Sequence, residues 1–301
     1  MKLHSCIHTI SFFFIYFITS DTYCNPMPKN ESRHGNTTDN GNSSLGKPKA
    51  GACSNNQWMT WEQGSGQSST FGKNELAETD NLYTLYNNVY NAGQVKQGSR
   101  QETQCLSYEK GVLSWMTKFQ FYLYSTGNPT SVLSYSNIRL KPSKTIQLQD
   151  LKKFKTSWDW KLSDQTDDLV TNVAYDVFTS LKSDCEGQGG GCASHEIMIW
   201  LAAINGAAPI GKFTGKTVKI GSKYEFDVWS GPGPDNLAVI SLYPKKTQYK
   251  TFDADLKQLF TNDLKEFGLK SEEYITTIGA GPEPFKGGAK ITTSKYTLDV
   301  Y

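Results

Sequence analysis

Three carboxylates stand where they could act together on a substrate. Glu196 begins an apolar segment, Asp176 lies inside a second one, and Glu283 is held between Pro282 and Pro284, which fix the backbone φ angle on either side of it. A buried carboxyl can donate a proton and a nearby carboxylate can attack an electrophilic carbon. The chain therefore has candidates for a general acid/base and a nucleophile.

Strand periodicity predicts which side chains share a face with these carboxylates. Side chains alternate between the two faces of a strand, so one set should point into a core and the other into an open site. The predicted core residues are Ile197, Ile199 and Leu201 in the first segment and Val173, Tyr175 and Val177 in the second. The predicted site residues are Glu196, Met198 and Trp200, together with Asn172, Ala174, Asp176 and Phe178. On this pattern Asp176 faces Glu196 from a neighbouring strand.

The elements that must position these residues are mostly strands. Short segments of alternating polarity are separated by Gly, Pro, Asn and Asp, and the sequences at 231–234 (GPGP) and 279–282 (GAGP) predict turns. One segment, 253–267, has apolar residues at helical spacing and predicts a single main helix. We expect an all-β sandwich of two antiparallel sheets, a jelly roll with a concave substrate groove and the helix laid against an outer face.

The N-terminal region predicts export rather than fold. Residues 1–22 have a charged start, a short apolar stretch and a polar end, which is typical of a signal peptide and too short to span a bilayer. Residues 23–52 are poor in large apolar side chains and predict a disordered linker, N-glycosylated at Asn30, Asn36 and Asn42. We therefore expect a secreted, monomeric protein whose folded domain spans 53–301, with no membrane partner once the signal is removed.

Charge and cysteine content exclude other classes of function. The 31 basic and 29 acidic residues nearly cancel, and no basic block indicates a nucleic-acid partner. Three of the four histidines lie in the first 34 residues, so neither a metal site nor a cofactor is predicted. In a secreted protein the cysteines are expected to form disulfides. Cys185 and Cys192 suit a local bridge, whereas Cys24 has no obvious partner.

Four segments resemble, in the same order along the chain, the signature segments of glycoside hydrolase family 12. They are YTLYNNVY at 83–90, NVAYDVFTS at 172–180, HEIMIWLA at 195–202 and GAGPEPF at 279–285. The resemblance extends from about Cys53 to Tyr301. It implies a β-jelly roll and an endo-β-1,4-glucanase that acts on a β-glucan polysaccharide with retention of configuration.

The resemblance also implies roles for individual residues. By it, Glu196 is the nucleophile, Glu283 the general acid/base and Asp176 the partner of the nucleophile. The residues expected to contact sugar are Trp58, Asn88, Tyr90, Asn172, Met198 and Trp200. Asn88 and Tyr90 would hold sugars on the non-reducing side of the cut, and Cys53 would pair with Cys105. The presence of an acidic partner beside Glu196 favours activity on the acid side of neutral pH.

Two departures from the family pattern bear on the substrate. The family's usual tryptophan is Tyr90 here, and the hydroxyl residue usually found before the acid/base is Pro282. Specificity for xyloglucan rather than linear β-glucan therefore stays open, as does a non-catalytic carbohydrate-binding or interaction protein. Met198 and Trp200 could also be packing residues.

Overall fold

The computed structural model describes residue 53 and residues 58–64, 73–78, 81–142, 144–185, 191–246 and 248–301. The predicted signal peptide, the linker with its three glycosylation sites, and Cys24 lie outside these described residues. Within the described ranges, no helix is long and apolar enough to cross a membrane.

The described chain is built almost entirely from strands. In chain order they are β1 Trp58–Glu62, β2 Lys73–Glu78, β3 Asn81–Tyr86, β4 Arg100–Glu109, β5 Val112–Phe121, β6 Asn137–Pro142, β7 Ile146–Gln147, β8 Phe154–Ser163, β9 Val170–Ser180, β10 His195–Ile204, β11 Lys212–Ile220, β12 Tyr224–Pro232, β13 Ala238–Pro244, β14 Thr251–Asp255 and β15 Tyr274–Val300. Helical turns occur at Ala92–Gln94, Leu148–Asp150, Pro234–Asn236, Leu259–Asp263 and Lys265–Phe267.

The strands form two sheets that share β15. The first sheet has the order β1-β4-β5-β15-β8-β14, using the C-terminal half of β15. The second has the order β2-β3-β6-β15-β9-β10-β13-β12-β11, using its N-terminal half. The protein is therefore the predicted β-jelly roll. One detail differs from the prediction, because β10 and β13 pair in parallel while the other strand pairs are antiparallel.

The main hydrophobic core lies on one face of the second sheet and follows the predicted alternation. It includes Val173, Tyr175 and Val177 from β9 and Ile197, Ile199 and Leu201 from β10. A separate small cluster on the opposite face contains Ala174, Met198, Trp200 and Phe285. We call this opposite face, which also carries Asp176, Glu196 and Glu283, the site face. The predicted assignment of faces is confirmed on both strands.

The predicted turn at 279–282 is wrong, because this segment is part of β15. Its glycines let neighbouring backbone come close to β15, since a Cβ atom at Gly281 would lie 2.0 Å from the Ser136 carbonyl oxygen. The prolines are tolerated because pairing with β6 ends at Ala280, so the N–H groups that Pro282 and Pro284 lack are not needed on that side. Gly and Pro here allow neighbouring backbones to pack closely within a strand. A sequence pattern of Gly and Pro does not distinguish this role from a turn.

The predicted helix is shorter than expected. Residues 251–255 form β14, and helical turns begin only after Asp255, whose Oδ1 accepts the backbone N–H of Lys257 at 3.0 Å. The apolar side chains of the turn join the main core, where Phe260 stacks on Phe154 at 5.0 Å between ring centroids. Gly268 ends the segment with φ 100°, as predicted for the helix terminus. Pairing with β8 thus overrides helical periodicity in the first three residues of the prediction.

Two disulfides join cysteines within the described residues. Cys53 is bonded to Cys105 on β4, and Cys185 is bonded to Cys192 in the connection between β9 and β10. The second bridge lies three residues before His195, at the start of the strand that carries Glu196.

Candidate active site

Three adjacent strands bring the predicted catalytic residues to the site face. On β9, Asp176 lies directly opposite Met198 of β10, so it is diagonal to Glu196. On the other side of β9, Asn172 lies directly opposite Glu283 of β15. β9 therefore links the two predicted catalytic glutamates through its own polar residues.

Glu283 is held by a two-point contact with Asn172. The Asn172 amide Nδ2 donates to Glu283 Oε2 at 2.6 Å, and the backbone N–H of Glu283 donates to Asn172 Oδ1 at 3.1 Å. Glu283 is 8 % exposed and Asn172 is fully buried. Burial raises the pKa of Glu283 to about 7, although the hydrogen bond from Asn172 acts in the opposite direction. Near neutral pH this carboxyl can both hold and release a proton.

Glu196 differs from Glu283 in its exposure. It is only partly buried, whereas its neighbours along β10 are buried. Burial, together with the nearby Glu283 charge, raises the pKa of Glu196 to about 8. Ionising either group therefore makes it harder to ionise the other, which is the coupling that keeps one carboxyl protonated beside an ionised one.

Asp176 is the most strongly perturbed of the three. It is 5 % exposed, and its Oδ1 has no hydrogen-bond partner among the described residues. Burial raises its pKa well above the usual range; the charges of Glu196 and Glu283 add to this, and Arg139 opposes it. A carboxyl whose pKa is raised in this way can hold a proton beside an ionised neighbour, and a protonated carboxyl can donate a hydrogen bond.

The predicted sugar contacts on β9 and β10 are mostly enclosed. Trp200 is 2 % exposed and its Nε1 points at Met198 Sδ, 3.5 Å away. Asn172 is enclosed as well, with both ends of its amide engaged by Glu283. The structure therefore gives these three residues packing and positioning contacts beside the carboxylates.

Asn88 and Tyr90 lie in the segment that follows β3, and backbone contacts connect this segment to β15. The N–H of Tyr90 donates to the carbonyl of Leu133, whose own N–H donates to the carbonyl of Pro284, next to Glu283. Asn88 has φ 38°, a left-handed conformation that asparagine tolerates, and its carbonyl accepts the N–H of Tyr135. Both residues are partly exposed. Trp58 begins β1 in the first sheet, paired with Gln104, and its side chain is outside the described part.

Two residues near the carboxylates were not predicted from the sequence. The Tyr135 hydroxyl donates to the carbonyl of Ala174 at 3.3 Å, and its pKa is raised by burial and by the charges of Asp176 and Glu283. Arg139, on β6, lies 4.6 Å from the ring centroid of Tyr86 and is the positive charge that opposes these effects. The alternation of polar and apolar residues at 137–140 could have indicated β6, but it does not indicate contact with Asp176.

A second concave feature of the described residues lies away from the three carboxylates. A cavity of about 310 Å³ lies on the first sheet, and none of the carboxylates above lines it; its walls are Gln104, Leu106, Met116, Lys161, Ser163, Lys290 and Thr292. Among the described residues, no group of three or more His, Cys, Asp or Glu side chains has the arrangement of a metal site.

Comparison with known proteins agrees with this geometry. The family model for glycosyl hydrolase family 12 matches residues 81–301. The xyloglucan-specific endo-beta-1,4-glucanase 1 of Phytophthora sojae is 36% identical over 236 residues, which are 76% of this chain and 90% of that protein. A protein of Phytophthora nicotianae named inactive glycoside hydrolase XLP1 is 37% identical over 225 residues, 72% of this chain and 86% of its own length.

A solved structure has the same fold. The catalytic domain of Humicola grisea Cel12A, in complex with a soaked thio cellotetraose, superimposes with a TM-score of 0.65 and is 29% identical; the match covers 73% of this chain and 93% of that one. The family model covers well over half of the chain, and it includes all three carboxylates. The protein is a glycoside hydrolase and belongs to glycosyl hydrolase family 12.

Proposed function

We propose that this protein is a secreted, retaining endo-β-1,4-glucanase, with Glu196 as nucleophile and Glu283 as general acid/base. The observation that supports this most directly is that the two glutamates lie on the same site face, close enough for the charge of Glu283 to raise the pKa of Glu196. Glu283 is almost fully buried and hydrogen-bonded to Asn172, whereas Glu196 is partly exposed. Burial raises the pKa of both, to about 7 for Glu283 and about 8 for Glu196, and their mutual repulsion favours a state with one proton between them. Retaining hydrolysis needs one carboxyl that carries a proton and one carboxylate that can reach the anomeric carbon.

In the first step, Glu283 donates its proton to the glycosidic oxygen while Glu196 attacks C1. The bond from C1 to the departing oxygen breaks, and a glycosyl ester forms on Glu196. In the second step, Glu283, now ionised, takes a proton from water as the water oxygen attacks C1 and releases Glu196. Two displacements at C1 leave its configuration unchanged.

Asp176 stabilises the carboxylate of Glu196, and Asn172 orients the carboxyl of Glu283. Asn172 fixes the orientation of the Glu283 carboxyl through its amide and leaves Oε1 without this contact. Asp176, protonated when Glu196 is ionised, can stabilise the carboxylate of Glu196 by donating a hydrogen bond to it. Both residues lie on β9, so one strand positions both halves of the reaction.

The substrate is a β-1,4-linked glucan, and xyloglucan is the second candidate. Two relatives that are each 36% identical to this chain are named xyloglucan-specific endo-β-1,4-glucanases. Initial rates of reducing-sugar release on carboxymethyl-cellulose, mixed-linkage β-glucan and xyloglucan would rank the substrates.

One relative is named an inactive glycoside hydrolase, so a non-catalytic role is the alternative to hydrolysis. The full set of Glu196, Glu283 and Asp176 favours turnover, because a binding protein has no use for a buried proton donor beside a second carboxyl. The experiment is hydrolysis of a soluble β-glucan followed by proton NMR of the first products. We expect β-anomers from the wild type and at least a 10²-fold loss in Glu196→Gln. First products with the α configuration, or full activity of Glu196→Gln, would overturn the mechanism.

A further inference from the structure

A cluster of polar side chains lies on the core side of the first sheet, away from solvent. Its members are buried, and hydrogen bonds connect them to one another. They come from two strands of the first sheet and from two connecting segments. We call this set the buried polar cluster; it consists of Asn87, Gln101, Thr103, Thr117, Ser134 and Ser136.

The position of the cluster is one that apolar residues normally fill. On β4, Gln101 and Thr103 share a face with the core residue Cys105, and on β5, Thr117 shares a face with the core residue Trp115. A buried polar group costs stability unless it is hydrogen-bonded, so apolar side chains would serve the core at least as well. A fully bonded polar network does something that apolar packing does not, because it specifies one arrangement of the segments that it joins.

The first sheet holds both connecting segments through one glutamine and one threonine. Asn87 Oδ1 accepts from Gln101 Nε2 at 3.0 Å and from Thr103 Oγ1 at 2.8 Å. At its other end, Gln101 Oε1 accepts from Ser134 Oγ at 2.6 Å. A single side chain of β4 therefore joins the segment after β3 to the segment before β6.

Ser136 connects the cluster to β15. Its Oγ lies 2.7 Å from the hydroxyl oxygens of both Thr103 and Thr117. Its carbonyl oxygen lies against Gly281, where a Cβ atom would have no room. Gly281 is two residues before Glu283, so the cluster reaches the strand that carries the proposed proton donor.

The backbone that the cluster holds leads directly to the site face. Asn88 and Tyr90, the predicted sugar contacts, follow the first member of the cluster within three residues. The Asn88 carbonyl accepts the N–H of Tyr135 at 3.0 Å, and the N–H of Leu133 donates to the carbonyl of Pro284 at 2.9 Å. Both connecting segments therefore contact each other, and one of them contacts the residue after Glu283.

We propose that the buried polar cluster is a positioning device, which holds the segment of Asn88 and Tyr90 at a fixed place relative to Glu283. It rests on the proposed function and adds the residues that set the geometry from inside the sandwich. Hydrogen bonds are directional, so a connected cluster resists sliding of the segments better than apolar contacts do. Catalysis is sensitive to such sliding, because a misplacement of about 1 Å can cost about 10²-fold in rate.

The test uses matched Thr→Val substitutions, which nearly keep the shape of the side chain and remove its hydroxyl. Thr103→Val and Thr117→Val each break the cluster, and Thr103→Ser keeps the hydroxyl. Thr156→Val is the control, because Thr156 is also buried but bonds to the Tyr175 hydroxyl at 2.8 Å and to the Thr297 carbonyl at 3.0 Å. On a soluble β-glucan, kcat/KM should fall about tenfold in both cluster variants and stay within about twofold in Thr103→Ser and Thr156→Val.

Urea unfolding of the same variants separates positioning from stability. Each Thr→Val variant should be less stable than the wild type, because a buried partner loses one hydrogen bond. A fall in kcat/KM that is confined to the two cluster variants supports the proposal. An equal fall in Thr156→Val, or wild-type kcat/KM in the cluster variants, would reject it while the proposed function stands. Thr117→Val removes a hydroxyl that contacts only Ser136 within the cluster, so it serves as the test if Thr103→Val does not fold.

A binding measurement separates the two proposals if turnover itself is absent. Titration of a cello-oligosaccharide into Glu196→Gln, with and without Thr103→Val, reports on the segment of Asn88 and Tyr90 without hydrolysis. About tenfold weaker binding in the double variant supports positioning by the cluster. Equal binding of the two proteins rejects it, whatever the wild type hydrolyses.

Discussion

The side chain of Asn172 meets Glu283 at two atoms, 2.6 Å from its amide nitrogen to the carboxylate and 3.1 Å from its amide oxygen to the backbone nitrogen. The residues are 111 positions apart in the chain, and the contact both orients Glu283 and moderates its pKa. Asn172 is thus a positioning residue for the proposed proton donor.

Replacing Asn172 by Ala should move the basic limb of the kcat/KM profile upward. Without the amide donor the carboxylate form of Glu283 is less stable, so its pKa rises above about 7, by about one to two units for a hydrogen bond to a charged group. Asn137→Ala, at another fully buried asparagine, is the control and should leave the limb in place. An unmoved limb in Asn172→Ala would reject the tuning role.

Small nucleophiles should distinguish the two glutamates. Azide needs no general base, so it should rescue Glu283→Ala by attacking the glycosyl ester and yield a β-glycosyl azide from an activated aryl glycoside. In Glu196→Ala azide should occupy the vacated position, attack C1 directly and yield the α-azide. Both variants should lose about 10²–10⁴-fold in activity on unactivated glucan. NMR of the azide products measures this, and the reverse pattern would exchange the two roles.

Asp176 should act as a neutral hydrogen-bond donor. Because its pKa is well above the usual range, Asp176→Asn keeps a neutral donor, and the acid limb of kcat/KM should stay in place with less than about a tenfold loss. Asp176→Ala removes the donor; the pKa of Glu196 should rise, the acid limb should move to higher pH, and activity should fall about 10- to 100-fold. Equal profiles for the two variants would show that donation by Asp176 is not needed.

The buried pair of His195 and Glu273 should contribute to stability in a pH-dependent way. Burial alone would raise the pKa of Glu273, but hydrogen bonds from His195 (2.9 Å) and Thr179 (2.6 Å) outweigh it and lower the pKa. A lowered carboxyl pKa stabilises the fold above the unfolded value of about 4.3, and this contribution is lost as the pH falls through the folded value. Glu273→Gln should therefore cost about 1.5–3 kcal/mol at pH 7, and the difference should shrink below about pH 4.

Urea unfolding at pH 7 and near pH 3.5 measures the effect of Glu273→Gln. The adjacent Glu272 is exposed, so Glu272→Gln should change the free energy of unfolding by less than about 0.5 kcal/mol at either pH. A Glu273→Gln deficit that is equally large at both pH values would show that ionisation of Glu273 does not stabilise the fold.

The two disulfides should differ in what they contribute. The Cys53–Cys105 bridge closes a separation of 52 residues and the Cys185–Cys192 bridge one of 7. The chain-entropy relation gives about 4 kcal/mol for the longer loop and about 2.5 kcal/mol for the shorter one. Paired Cys→Ser variants, each serving as the other's control in denaturant unfolding, should show this order. Equal losses would mean that native contacts rather than loop closure set the effect.

The sequence was most informative where a local period decides the structure. Alternation on β9 and β10 correctly assigned Tyr175 and Ile199 to the core and Asp176 and Glu196 to the site face, because the side-chain period of a strand is set by the backbone. It failed where non-local contacts decide. Gly281 reads as a turn residue until the Ser136 backbone is seen against it, and no local pattern indicates that Tyr135 lies near Asp176.

The strand β15 hydrogen-bonds to both sheets over 27 residues and carries Glu283 in its first half. If the two sheets separated, the backbone of β15 that positions Glu283 would be distorted. Heat or denaturant that unfolds the first sheet, which does not carry the carboxylates, would therefore inactivate the enzyme in the same cooperative transition. Loss of catalytic activity would then report unfolding of both sheets.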